Sequence, residues 1–464
     1  MSKLFDTIRK SYKILIVLAD LALVNLAYIL AFLIKFDGDL PDFNVTPYIN
    51  TAPFITAAAL ILFDLFGILK FYKKTISDFA TSIFYVVFLL GITATAIAYF
   101  SQGFSFPRSV LLMAPVFQFV LLSLWYGLIF FVRKFSTGAR KLMVIGFSED
   151  MKDILDKVTI ALTSSDVIIK SIYSPDEMDK IRKRIKDVDE VLVCPGLTDE
   201  QKMKISNLCL TNRKVVYVVP ELFEISLMNT RLVQFEDLPA FMIDRIGLTV
   251  EQRFFKRVFD LVISFIGIIV LSPLMLTAAL LIRLTSRGRI IYVQERVTFR
   301  DKIFRMYKFR TMREDAEKDT GPVISGRNDP RVTPVGRFLR KFRIDEVPQL
   351  FNVLKGDMSI VGPRSERPYF VEQYEKDIPE YAQRNVVKAG ITGYAQILGN
   401  YDTTAENKLR YDLIYIKNYS LLLDLKLMLQ TIRVVFTGNT EYNESFVKNL
   451  DKQGRINSAK NFLG

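Results

Sequence analysis

The sequence predicts a membrane protein in three parts. These are an N-terminal α-helical membrane unit of four helices, an α/β middle domain with a parallel sheet, and an α+β monotopic C-terminal domain held to one leaflet by a re-entrant membrane helix. Three observations carry the prediction. Four apolar blocks occupy residues 12–36, 48–71, 79–100 and 110–132, each long enough for the ~20 helical residues that cross a hydrocarbon core. From Arg140, short β-rich runs alternate with polar segments. A fifth apolar block, 254–284, contains Ser272 and Pro273 and has basic residues on both flanks. The boundaries expected from this pattern are 1–135, 136–250, 251–284 and 285–464.

Composition narrows the chemistry. Half of the 464 residues are hydrophobic, and the net charge of +13 suits anionic partners such as lipid headgroups or nucleotide phosphates. On charge alone, nucleic acid fits as well. There is no histidine, which excludes Ser/His and Cys/His catalysis and imidazole metal sites. A general base must then be a carboxylate, and a metal a hard, oxygen-bound ion such as Mg²⁺. Cys194 and Cys209 lack metal-ligand spacing and are too few for a disulfide framework.

The four membrane blocks are justified by their loops. Lys3, Arg9 and Lys10 precede the first, Lys70, Lys73 and Lys74 separate the second and third, and Arg133, Lys134, Arg140 and Lys141 follow the fourth. The positive-inside rule places these three regions in the cytoplasm. No small-residue cleavage site follows the first block, so it reads as a retained span. Asp20 and Asp64 lie inside blocks, where a packing or near-interface role is expected.

The middle domain rests on the runs LMVIGF, VIIKSIY, EVLVCP and KVVYVVP, separated by helix-compatible segments, the pattern of a Rossmann-like parallel sheet. The first strand is followed by GFSED, with a single glycine, so the dinucleotide fingerprint is absent. A structural or regulatory role is expected.

For the fifth block, Lys256 and Arg257 before it and Arg283, Arg287 and Arg289 after it give both flanks a cytoplasmic character. Ser272-Pro273 breaks the hydrogen-bond ladder within it. A helix entering and leaving one leaflet is therefore expected, the alternative being a kinked spanning helix.

The chemistry concentrates in RVTPVGRFLRKFRIDEVPQLFNVLKGDMSIVGPR, 331–364. Asp345 and Glu346 precede an apolar run containing Pro348, which predicts a helix beginning near Asp345. Unpaired N–H groups there would keep a carboxylate ionised and, with nearby arginines, hold a phosphate. An ionised carboxylate beside a bound phosphate is a candidate nucleophile; the plain alternative is a capped, solvated helix start.

KRVFDLVISFIGIIVLSPLML, YKFRTM, NDPRVTPVGRFLRKFRIDEVPQLFNVLKGDMSIVGPR, AGITGYAQ and YDLIYIKNYSLLLDLKLMLQT resemble the bacterial sugar transferases, the polyprenyl-phosphate phosphoglycosyl transferases, over residues 252–437. The upstream regions resemble the long form of that family. The resemblance implies transfer of a sugar-1-phosphate from a UDP-sugar to undecaprenyl phosphate on the cytoplasmic face of the bacterial cytoplasmic membrane, with UMP released, as the first membrane step of surface polysaccharide synthesis. It implies a re-entrant helix broken at Ser272-Pro273, Asp345 as the nucleophile of a phosphosugar-enzyme intermediate, and Glu346 assisting through Mg²⁺ held by both acids. Membrane lipids are partners, nucleic acid is not, and a homodimer through the upstream regions is the quaternary expectation.

Charge development at the transferring phosphoryl group assigns Lys308 and Arg340 to catalysis and Arg310, Arg331 and Arg364 to substrate binding. Asp412 and Asp424 align with family acids that would support metal or substrate, the equal alternative being a cap or ion-pair role for at least one of them. Arg337 and Lys341, with Phe338, Leu339 and Phe342, suit a basic interfacial helix. Departures from the family pattern are Ala389 and Ser365 where proline is usual, and a turn before KIF without its usual glycines. ILGNYDTT looks closer to glucose- or galactose-transferring members. Two rival functions remain at this stage: a five-span glycosyltransferase releasing UDP, and a non-enzymatic membrane scaffold that senses nucleotides.

Overall fold

The computed structural model describes residues 2–69, 76–101, 106–136, 140–147, 167–243, 245–313, 316, 329–399 and 403–437. It divides into two compact units, one running to Val219 and one starting at Pro220.

The first unit opens with four long helices, α1 (Ser2–Lys35), α2 (Asp42–Leu65), α3 (Ile76–Phe100) and α4 (Arg108–Ser136). By length and composition each contains a stretch able to cross a membrane, so this is a membrane protein. Small and aromatic residues, among them Ala27, Tyr28, Ala31, Phe32, Ala59 and Ala94, are buried between the helices, as expected where close packing rather than water exclusion drives association. Asp20 takes the packing role foreseen for it. Its carboxylate is fully buried and accepts from Tyr126 Oη (2.6 Å) and Trp125 Nε1 (3.1 Å), joining α1 to α4. Asp64 is exposed.

The same unit continues with strands β1 (Arg140–Ile145), β2 (Val167–Tyr173), β3 (Glu190–Val193) and β4 (Val215–Val218). All pair in parallel in the order β2-β1-β3-β4. Met143, Ile145, Val191 and Val193 are buried together with Ile181 and Ile185 around helix α5 (Met178–Arg184), and with Ile205 and Cys209 of helix α6 (Asp199–Thr211). Thr198 and Gln201 close a capping box at the start of α6.

The second unit starts at Pro220 rather than at residue 251. Helix α7 (Leu222–Ser226) and hairpin β5–β6 (Arg231–Phe235, Leu238–Met242) come first. Ile225 of α7 is buried in the core of this unit, and Asn229 donates to Lys417 O and Asn418 Oδ1. The β-rich patterning ends at β4, and the tertiary contacts that recruit the next segment leave no periodic signal.

Helix α8 (Val250–Thr285) begins at a Thr249–Gln252 capping box and runs through Ser272 and Pro273 without leaving helical assignment. Ser272 Oγ donates to Ile269 O (2.8 Å), one turn back. Lys256, Asp260, Ser264, Ala278 and Ile282 are buried, and Ile268, Leu271 and Met275 pack on the unit's core between them. Positions three or four apart form one stripe along the whole helix. The remaining face is apolar and exposed, with Phe254, Leu261, Phe265, Ile269, Val270, Leu276, Leu280 and Leu284.

The rest of the unit comprises the antiparallel pair β7 (Ile291–Val297) and β8 (Ile303–Phe309), helix α9 (Pro334–Lys341), helix α10 (Gln349–Lys355), strand β9 (Ser359–Val361), helix α11 (Pro368–Asp377), strand β10 (Gly390–Thr392) parallel to β9, and helices α12 (Tyr394–Leu398), α13 (Ala405–Lys417) and α14 (Leu421–Thr437). The turn between β7 and β8 holds Arg300 and Asp301 at φ 55° and 58°. These are the left-handed positions that glycine fills at least cost, so this turn keeps a glycine geometry without glycine. Ala389 N donates to Thr298 Oγ1 (3.1 Å), a bond that proline could not make.

Candidate active site

The site forms where β8, the turn before α10 and the segment after β9 meet. Side chains in the β7–β8 ribbon alternate, so Lys308, Met306 and Phe304 share a face with their cross-strand partners Tyr292, Gln294 and Arg296. Met306 and Phe304 point into the core. The fully buried Asn352 accepts from Tyr307 N (2.9 Å) and donates to Arg305 O (2.7 Å), which fixes α10 against β8. Lys308 is thereby held beside the acids that precede α10.

Those acids sit in a 3₁₀ turn, Ile344–Glu346, entered through Arg343 at φ 53°, and α10 starts only at Gln349 with Pro348 as its N-cap. The expected helix start near Asp345 therefore falls four residues later. A non-glycine residue in the left-handed region two residues before the buried Asp345 is the kind of local strain that surrounding packing must impose.

Lys308 Nζ donates to Glu346 Oε1 (3.0 Å), and Arg364 Nη2 reaches the same oxygen at 3.4 Å. Burial pushes the Glu346 carboxyl up, but Lys308, Arg364 and Arg343 outweigh it and hold the group below the ordinary carboxylate range. Asp345 goes the other way: burial and the adjacent Glu346 charge raise its pKa, against the pull of Lys308 and Arg340. The two acids are thus driven apart, a pattern that marks assigned roles in reactive sites. The helix-start ionisation foreseen for Asp345 does not govern it. Burial lowers the Lys308 ammonium despite Glu346.

A pocket beside these groups is lined by Arg296, Lys308, Glu346, Gln349, Arg364, Ser365 and Gly390. Lys308 and Arg364 gathered at Glu346 are cations suited to a phosphate or diphosphate, while Arg296 is paired with Glu366. Among the described residues, no group of three or more His, Cys, Asp or Glu side chains is arranged to hold a metal ion. Asp345 and Glu346 are the hard oxygen donors that Mg²⁺ would take, with substrate phosphates and water completing its shell.

Arg340 lies near enough to Asp345 for its charge to act on that group, while the remaining foreseen site residues meet internal partners. Arg340 Nε donates to Thr311 Oγ1 (2.9 Å). Arg310 is buried and donates to Arg287 O (2.6 Å), Ser286 O and Ser286 Oγ, closing the C-terminal end of α8. Arg331 is paired with Asp329 at 2.6 Å. Asp412 is buried against Arg384 (2.7 Å), and Asp424 accepts from Lys256 (2.6 Å) and Tyr415 (2.8 Å). Arg296, Asn352 and Arg384 were not foreseen. The hairpin register could have placed Arg296 on the face of Lys308, whereas nothing local marks the other two.

The profile of the family described as "Bacterial sugar transferase" matches residues 251–438. The exopolysaccharide production protein PSS of Rhizobium leguminosarum bv. phaseoli is 39% identical over 185 residues, 38% of this chain and 92% of that protein. The chain belongs to the bacterial sugar transferase family. A second family relative, the UDP-N-acetylgalactosamine-undecaprenyl-phosphate N-acetylgalactosaminephosphotransferase of Aeromonas hydrophila, is 46% identical over 188 residues, 40% of this chain and 44% of the relative. A third, the UDP-glucose:undecaprenyl-phosphate glucose-1-phosphate transferase of Klebsiella pneumoniae, is 36% identical over 279 residues, covering 58% and 60%. The chain thus spans about half the length of these two curated relatives, and Lys308, Asp345, Glu346 and Arg364 all fall inside the family match.

Proposed function

We propose that this chain transfers a sugar-1-phosphate from a UDP-sugar to undecaprenyl phosphate, releasing UMP. The observation that carries the proposal is the acid pair itself, Asp345 buried and Glu346 met by Lys308 and Arg364, beside a pocket lined by cations. In the first displacement an Asp345 carboxylate oxygen attacks the sugar-bearing phosphorus. The bond from that phosphorus to the bridging oxygen breaks, and UMP leaves with the electron pair. In the second, a phosphate oxygen of the lipid attacks the same phosphorus and releases the Asp345 carboxylate. Covalent catalysis lets a soluble donor and a lipid acceptor use one site in turn.

Lys308 and Arg364, already gathered at Glu346, neutralise the charge that builds on the transferring phosphoryl group and departing UMP. Arg340 lowers the proton affinity of Asp345. Mg²⁺ held by Asp345 and Glu346 would reduce the repulsion between carboxylate and diphosphate. Arg310, Arg331, Asp412 and Asp424 serve by building the frame, since their partners are internal.

The reaction takes place on the cytoplasmic face, with α8 as a re-entrant, monotopic anchor. Support comes from the buried stripe along α8: a body packed along the whole length of a spanning helix would itself sit in hydrocarbon. Basic residues on both flanks agree. The middle domain is Rossmann-like and carries no part of the reaction. As relatives are named for both N-acetylgalactosamine and glucose transfer, the test uses a donor panel. Purified protein with Mg²⁺, undecaprenyl phosphate and UDP-sugars is expected to release UMP from one donor, and Asp345→Asn to lower that rate by at least ~10³-fold. UDP as product, or undiminished turnover by the variant, would overturn the proposal.

A further inference from the structure

The peptide that follows strand β9 carries Arg364 to Glu346, and two guanidinium groups grip it on consecutive carbonyls. Arg384 Nη2 donates to Arg364 O at 2.9 Å, while the same guanidinium meets Asp412 Oδ2 through Nε (2.9 Å) and donates through Nη1 to Tyr381 Oη (2.6 Å). Arg296 Nη1 donates to Ser365 O at 2.9 Å, with Nε and Nη2 on Gln294 Oε1 (3.0 and 2.6 Å) and Glu366 at 3.8 Å. From the third side, Gly390 N donates to Pro363 O (2.8 Å). The crossing is close enough that a Cβ on Gly390 would lie 2.1 Å from Gly362 N.

Stability alone does not account for this arrangement. Burying an Arg–Asp pair such as Arg384–Asp412 sets large desolvation against Coulomb attraction, and well-packed apolar residues often do as well. What apolar residues lack is the rigid fork that binds a carboxylate and a backbone carbonyl together. Both forks end on the peptide that bears the exposed member of the cation cluster, Arg364, whose side chain is 39% accessible. A long, accessible side chain loses rotamer freedom when it binds an anion, and fixing its backbone beforehand reduces that loss.

We infer that Arg296, and Arg384 together with Asp412, are positioning residues that clamp the Arg364 backbone so that its guanidinium meets a diphosphate beside Glu346. The inference rests on the proposed function for the identity of the anion, and it gives Asp412 a role without direct contact with substrate.

The test is a set of mutant cycles on the full-length chain in nanodiscs, read by calorimetric titration with UDP. Arg384→Gln/Asp412→Asn removes both buried charges together, and Arg296→Gln releases the other carbonyl. Each should weaken UDP binding by roughly ten-fold alone, and by less than about two-fold when added to Arg364→Ala, because coupled residues lose energy only once. A purely structural role predicts equal losses in both backgrounds, and that result overturns the clamp. So does no loss in either background, or no UDP binding by the native chain. Where the Arg384/Asp412 variant does not fold, the Arg296 cycle decides alone. UMP release measured on the same preparations separates the two claims: coupled binding without UMP release keeps the clamp and rejects the transfer.

Discussion

Two buried lysine–acid clusters in the second unit use the same ingredients and end differently. At Lys256, the ammonium donates to Asp424 Oδ2 (2.6 Å) and to Tyr415 Oη (3.2 Å), Tyr415 donates to Asp424 Oδ1 (2.8 Å), and the Tyr419 ring lies 5.3 Å from the lysine nitrogen. Both carboxylate oxygens are satisfied. At Lys308, two cations converge on one oxygen of Glu346 and a second acid lies next in sequence, while Arg296 at the pocket wall is turned to Ser365 O and Glu366. The first cluster is closed and ties α8 to α14. The second is open, with its charge balance left for a ligand to complete. Both carry acids that the family resemblance singles out, so alignment alone does not separate a reactive acid from a structural one, whereas hydrogen-bond satisfaction does.

The largest expected contrast is between turnover and stability. Lys308→Met should lower kcat/KM by about 10²–10³-fold, the usual scale for removing one stabilising group at a developing anion, with little change in melting temperature. Asp424→Asn should do the reverse. It leaves Lys256 without its counter-charge, at a cost of about 3–5 kcal/mol in denaturant unfolding, while the folded fraction keeps its specific activity. If both variants lose mainly activity, the distinction between closed and open clusters collapses.

A smaller effect sharpens the electrostatic part. Burial and the charge on Glu346 raise Asp345, and in the proposed reaction only the ionised Asp345 would attack. Glu346→Gln should therefore move the acid limb of the kcat/KM profile to lower pH, even though the plateau falls. A limb that stays in place or moves up would show that Glu346 does not bear on Asp345 in this way.

The smallest effect concerns Asp345 itself. Its folded pKa lies above its unfolded one, so its contribution to stability is full in acid and is lost as pH rises through the folded value. At neutral pH the ionised group costs stability, and Asp345→Asn should raise the melting temperature. That gain should shrink towards pH 4, and a variant that melts lower than the native chain at pH 7 would contradict the assigned shift.

Much of this was legible in the sequence, for identifiable reasons. Membrane helices announce themselves by apolar length, and β1, β2, β3 and β4 appear where LMVIGF, VIIKSIY, EVLVCP and KVVYVVP stand. Lys308, Glu346 and Arg364, singled out for their charges in short motifs, do meet in the structure. The late start of α10 was not legible, since it depends on Arg343 taking a left-handed conformation. Nor was the work of Arg310, because a basic residue in YKFRTM reads the same whether it meets a substrate or the carbonyls of Ser286 and Arg287. Arg384 and Asn352 act across long sequence separations, where one-dimensional patterns carry no signal.

The most direct measurement is the mass of the protein after incubation with Mg²⁺ and a UDP-sugar in the absence of undecaprenyl phosphate, followed by peptide mapping. The account predicts a sugar-phosphate adduct on the peptide containing Asp345, formed with stoichiometric UMP and discharged when the lipid phosphate is added. UMP released only when both substrates are present, with no adduct at Asp345, would mean that the lipid attacks the donor directly and that Asp345 is not the nucleophile.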